Sequence, residues 1–150
     1  MQYWLMKTEP DVFSIETLRQ KQVAPWDGVR NYQARNHMRA MQVGDKVLFY
    51  HSSAEPSGVA GLAEVARTAY PDHTSWDPKS DYFDAKSTPQ KPLWDMVDVR
   101  WVKTFKNFLP LGDLRQVAAL SDMILFQRSR LSVQPVEKKH YDLIVRLGNG

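Results

Sequence analysis

The chain has 150 residues, of which 43% are hydrophobic and 25% charged, and its formal net charge is +3. That is globular composition, long enough to bury a core without staples, and it excludes the disordered and fibrous classes. No cysteine is present, which excludes disulfides and thiolate metal sites and fits a reducing compartment.

"QYWLMK" reads as a buried first strand, ended by "TEPD" because Pro10 lacks the N–H that a ladder needs. Its apolar run is too short for a signal peptide, and Lys7 and Glu9 follow at once. "SIETLRQK" is a short helix capped by Ser14, with Thr17 where a capping box would place Glu. "VAPWDG" is a turn. Residues 31–42 predict a helix, with Ala34, Met38 and Met41 on one stripe, Asn31, Arg35 and Arg39 on another, and Gly44 as the residue that stops it. "KVLFYHS" and "GVAGLAEVARTAY" are strands, and Gly58 and Gly61 point to a bulge or a close backbone approach in the latter.

Residues 71–93 hold four of the nine prolines and form a long loop. A loop of that length is functional or poorly ordered, here a rim that folding does not require. "WDMVDVRWVKTF" is a strand with Val97, Val99 and Trp101 on one face. "LGDLRQV" and "SDMILF" are short helices, and "RLSVQPV" is a last strand that Pro135 pushes to an edge. "EKKHYDLIVRL" closes the chain as a helix with Tyr141, Ile144 and Leu147 on its buried side. The elements alternate without a βαβ rhythm. They predict one α+β domain over residues 1–150, built on a curved, mostly antiparallel sheet or partial β-barrel flanked by helices. No stretch approaches the roughly 20 apolar residues of a membrane helix. A soluble cytoplasmic protein without a membrane partner is expected.

Charge is uneven. Residues 70–98 carry three Lys against six Asp, and residues 99–139 carry eight Lys or Arg against three acids. This permits a polyanion on one face and equally describes a solvated surface.

Few residues suggest catalysis. His37, His51, His73 and His140 stand far apart without an i, i+4 pair, so neither a metal site nor a cofactor is expected. There is no nucleophile elbow and no phosphate loop. His51, beside Ser52 and Ser53, is the one hint of a general base, and such a His is more often structural. Recognition has more support. Trp26 sits in a turn, where its ring either stacks on a flat ligand or folds over the core. Asn31 is placed to read a base edge at a helix start or to cap that helix. Arg30, Arg35 and Arg39 add fixed charge. Together Trp26, Asn31 and Arg35 have the layout of a base-stacking, edge-reading and phosphate-holding site.

The stretches "WLMKTEP", "WDGVRNYQARN", "GDKVLFYHS", "GVAGLAEV", "AYPDHT", "MVDV" and "RLSVQP", in that order, resemble the EVE domain family, whose PUA-like fold is related to the YTH domains. The resemblance implies a curved PUA-like sheet and a pocket for a modified base: modified cytosine in DNA among eukaryotic members, methylated adenine in RNA for the YTH relatives. By motif position that pocket draws on Lys7, Thr8 and Glu9, on Trp26, Val29, Arg30 and Asn31, on Tyr50, His51 and Ser52, and on Arg130, Leu131 and Ser132. Thr8 stands where many relatives have Ser, and "HSSA" where they read His-Ser-Asn-Cys; both changes bear on ligand choice. Backbone affinity falls to Arg30, Arg35, Arg128 and Arg130 and should be salt sensitive. The leading expectation is a non-enzymatic reader of modified DNA or RNA. The alternatives are an enzyme on a modified nucleotide with His51 or Glu9 as base, and a protein-interaction domain that uses the acidic loop.

Overall fold

Two long strands, β4 (Gly58–Pro71) and β5 (Asp95–Pro110), form the spine of the computed structural model, which describes residues 1–150. With β1 (Tyr3–Thr8), β2 (Val23–Pro25), β3 (Lys46–His51) and β6 (Val133–Val136) they make one six-stranded sheet in the order β2-β5-β4-β3-β1-β6. Only β1 and β3 run parallel; every other pair is antiparallel. The β4–β5 register slips at four places between Val59 and Tyr70, and each such bulge bends and twists the ladder. The sheet is therefore curved, and it stays open, with β2 and β6 at its edges. A Cβ on Gly58 or Gly61 would lie 2.1 or 2.3 Å from a β5 carbonyl oxygen, so the close approach expected there is real.

Alternation along the strands sends side chains to two faces. One face gathers Trp4, Met6, Val47, Phe49, Val97 and Val99 beneath α1 (Ile15–Lys21) and α2 (Tyr32–Ala40). The other gathers Leu5, Leu48, Leu62 and Phe105 with residues of α3 (Leu111–Arg115), α4 (Ile124–Gln127) and α5 (Lys138–Asn149). Ser14 caps α1 by accepting from Thr17 N at 3.1 Å. No helix is long and apolar enough to cross a membrane.

Several boundaries differ from the sequence pattern. "VAP" is a strand rather than a turn, because Val23–Pro25 finds Asp98–Arg100 as a partner and Pro25 sits on the open edge. α2 stops at Ala40: Met41 is already extended, and Gly44 (φ +93°) serves the next turn instead of ending the helix. The last strand begins at Val133, and it is an edge strand as expected. Leu147 is 36% exposed and does not share the burial of Tyr141 and Ile144. The 71–93 segment is anchored to the domain: Asp72, Ser75 and Ser87 are buried in it, and the Ser75 and Ser87 hydroxyls meet at 2.8 Å.

Candidate functional site

One buried carboxylate organises the turn after β2. Asp72, its side chain fully shielded, accepts from Gly28 N at 2.9 Å, Arg30 Nη1 at 3.0 Å and Thr74 N at 2.9 Å. Burial pushes its carboxyl up, but the hydrogen bonds from Thr74, Gly28 and Arg30 outweigh that and hold it below the ordinary Asp value. Arg30 also donates through Nε to Tyr82 O at 2.9 Å and through Nη2 to Thr74 Oγ1 at 3.2 Å. Gly28 has φ +80°, and a Cβ there would lie 2.8 Å from the Tyr82 ring. Glycine is needed both for the left-handed backbone and for the seat of that ring.

Three hollows open around this turn. The first, about 290 Å³, and the second, about 250 Å³, share Thr8, Val12, Trp26, Asp27 and Tyr82. The first adds Phe13, Ala24 and Pro25; the second adds Lys7, Glu9, Val29, Arg30, Ser52 and Ser132. The third, about 270 Å³ and mostly polar, is lined by Asn31 and by Gln127, Arg128, Ser129, Arg130 and Leu131. Consecutive residues cross from the second to the third: Arg30 to Asn31, and Leu131 to Ser132. The recess and the basic hollow are thus one residue apart along two separate segments.

Most residues predicted from sequence meet here, with changed parts for some. Of the two places expected for Trp26, the ring takes the one over the core. It is 5% exposed, stands edge-on to Phe13 and Phe49 with centroids 5.7 and 5.3 Å away, and belongs to the main core. It walls the recess from beneath while its backbone N donates to Val97 O at 2.7 Å. Asn31 caps α2, its Oδ1 accepting from Ala34 N at 2.9 Å, and its exposed side chain still borders the third hollow. Arg30 points inward, its guanidinium engaged by Asp72, Tyr82, Thr74 and Val29. Arg35 lies 4.7 Å over the Tyr32 ring and donates to Leu93 O at 2.8 Å, and Arg39 pairs with Asp95. The predicted cationic stripe therefore clasps residues 72–95, because those segments supply the carboxylate and carbonyl partners that the helix lacks. Arg128 and Arg130 are exposed at the third hollow, Arg128 donating to Gln33 Oε1 at 2.7 Å.

Tyr50 and His51 do not line the hollows. Tyr50 is buried in the other face of the sheet, with the Lys7 ammonium 5.5 Å from its ring centre. His51 Nε2 accepts from Ile15 N at 3.1 Å at the start of α1, and burial holds its pKa down. Lys7, its pKa lowered by burial, donates through Nζ to Ser129 O at 2.9 Å and ties the third hollow to β1. Sequence reasoning missed Val12, Phe13, Asp27 and Tyr82. The Asp-Gly pair was a signal for Asp27; nothing local announces Tyr82, which arrives from the long loop. Asp27 sits at the solvent lip, and partial burial together with the nearby Asp72 charge raises its pKa.

Fold and recess together define a PUA-like α+β domain built on a curved sheet. A model of the EVE domain matches residues 2–147, and the chain belongs to the EVE domain family. It is 42% identical to thymocyte nuclear protein 1 of Homo sapiens over 164 residues, covering 97% of this chain and 73% of that protein. Among solved structures, a hypothetical protein from Leishmania major is 53% identical with a TM-score of 0.97, covering 99% of this chain and 94% of that one. Human THYN1 protein in complex with 5-methylcytosine-containing DNA is 41% identical with a TM-score of 0.95, covering 100% of this chain and 99% of that one.

Proposed function

We propose that this chain is a non-enzymatic reader that takes one modified base of a nucleic acid, 5-methylcytosine in DNA first, into the recess walled by Trp26 and Tyr82. The carrying observation is the adjacency of that recess to the basic hollow, with Arg30–Asn31 and Leu131–Ser132 joining them. A nucleotide has the same division: a flat base and, one sugar away, a phosphate. The likeness to a protein solved with 5-methylcytosine-containing DNA supports this choice of ligand. Apolar Val12, Trp26 and Tyr82 give the base its walls, while Asp27 and Glu9 offer acceptors for the exocyclic amine of cytosine. Arg128 and Arg130 face the backbone, assisted by the N-terminus of α2. Arg30 and Arg35 act as struts of the site. His51 is unsuited as a base while its Nε2 holds the Ile15 N–H.

The test is titration of labelled oligonucleotides that differ only in one cytosine methyl, in single- and double-stranded form, with the DNA recovered and weighed by mass spectrometry. One buried methyl contributes about 0.8 kcal/mol, so the expected preference is roughly fourfold. Single-stranded DNA should bind more readily, since extruding a paired base costs a few kcal/mol. Equal affinity for both cytosines would refute the reading, and a changed oligonucleotide mass would favour an enzyme.

A further inference from the structure

The largest cavity in the molecule, about 830 Å³, shares no residue with the recess. It lies at the β6 edge, with Tyr3, Met123, Ile124 and Val136 as apolar walls and Asp122, Glu137 and His140 on its polar side. His140 is 2% exposed. Its Nε2 lies 3.0 Å from Asp122 Oδ1 yet forms no hydrogen bond with that oxygen or any other group. Its Nδ1 lies 3.5 Å from Glu137 Oε2. One ligand atom from each of the three lies within 4.8 Å of the others.

From this geometry we infer a divalent metal site with His140 Nε2 and Asp122 as ligands and Glu137 as the group that orients the imidazole. A buried ring nitrogen without a partner calls for one. A proton on Nε2 would need an acceptor in line with the N–H, and the Asp122 oxygen is off that line. A metal ion occupies the in-line position itself and carries the carboxylate beside it. Two ligand atoms about 2.1 Å from a tetrahedral ion are about 3.4 Å apart, so the 3.0 Å pair need open by only a few tenths of an ångström to hold one. Glu137 Oε2, 3.5 Å from Nδ1, stands where the carboxylate behind a metal-bound histidine stands, and on closing to hydrogen-bond distance it would accept from Nδ1–H and fix the tautomer. Two carboxylates balance the double charge, and Lys138 at the rim is already paired with Asp142 at 2.7 Å. One imidazole nitrogen with carboxylate oxygen selects a borderline ion of the zinc or cobalt class over magnesium or calcium. All three side chains line the cavity. The sequence hid this site because its histidine has no second histidine nearby, and Asp122 comes from the turn before α4.

The experiment is isothermal titration of the untagged, chelator-treated chain with zinc chloride, with nitrogen-15 spectra of the histidine rings recorded alongside. The expected result is one equivalent bound, a shift confined to the His140 ring, and no displacement by excess magnesium. Asp122→Asn, at an exposed side chain whose loss leaves the core intact, should weaken binding about tenfold or more, and Glu137→Gln by about tenfold. A melting curve of each variant without metal should match that of the unmodified chain. Absence of zinc binding, an unchanged affinity in Asp122→Asn, or a shift centred on His37, His51 or His73 would each overturn the assignment.

Discussion

Arg30→Ala separates a phosphate contact from an internal strut. In the structure Arg30 is the only cation paired with the fully buried Asp72 carboxylate. Breaking a buried pair by removing one partner costs about 3–5 kcal/mol, because the remaining charge is left in a poor dielectric. Asp72 would keep the Gly28 and Thr74 donors, which places the loss near the lower bound, about 3 kcal/mol. For a chain of this size that lowers the melting temperature by about 6–12 °C. The Tyr82 carbonyl and ring would also lose their hold on the Gly28 turn, so base binding should weaken in the folded protein. The slope of log affinity against log salt should nonetheless stay as it was, since no phosphate contact is removed. Urea melts and salt-dependent titrations on the same variant measure both quantities. The double variant Arg30→Met with Asp72→Asn should recover part of the stability, because the stranded charge is gone. A melting temperature unchanged by Arg30→Ala, together with a salt slope shallower by about one, would refute the strut and restore the phosphate contact.

Trp26→Ala should cost about 3–5 kcal/mol in a denaturant melt, the range for a buried large aromatic, and Trp26→Phe should restore part of it; an unchanged midpoint would show that the ring is not core. Arg130→Ala should leave the melt alone and make the salt slope shallower by about one, so an unaltered slope would remove it from the backbone contacts. His51 supplies a pH signature. Its folded pKa is lowered by burial, so between that value and about 6.5 the unfolded chain binds more protons, and stability falls as the pH drops below about 6.5. That fall should be smaller in His51→Asn, as read from melts across the acid range. Asp72 acts lower on the scale: its folded pKa is depressed, so its contribution is present above about 3.9 and is lost as the pH falls below that value. Asp72→Asn should remove this dependence.

Much of the fold is legible locally. The alternation in "MVDVRW", the β-branched and aromatic run in "KVLFYH" and the Ser14 cap each name their own element, because strand and helix periods are written in neighbouring residues. The motif stretches likewise name the family and most of the recess walls. Tertiary structure alone decided what those side chains meet. Val23–Pro25 is a strand only because β5 lies beside it. Trp26 is core because Phe13 and Phe49 pack against it in T-shaped contacts. Arg30, Arg35 and Arg39 look like free cations until Asp72, at the start of the long loop, and Leu93 and Asp95, at and just past its end, arrive beside them. The basic hollow needs Arg128 and Arg130 beside Asn31, a juxtaposition across almost a hundred residues. A periodic pattern records which face of an element avoids water. The partner of a charge, and whether a ring ends in the core or at a ligand, depend on which distant segments the curved sheet brings together, and no local period encodes that.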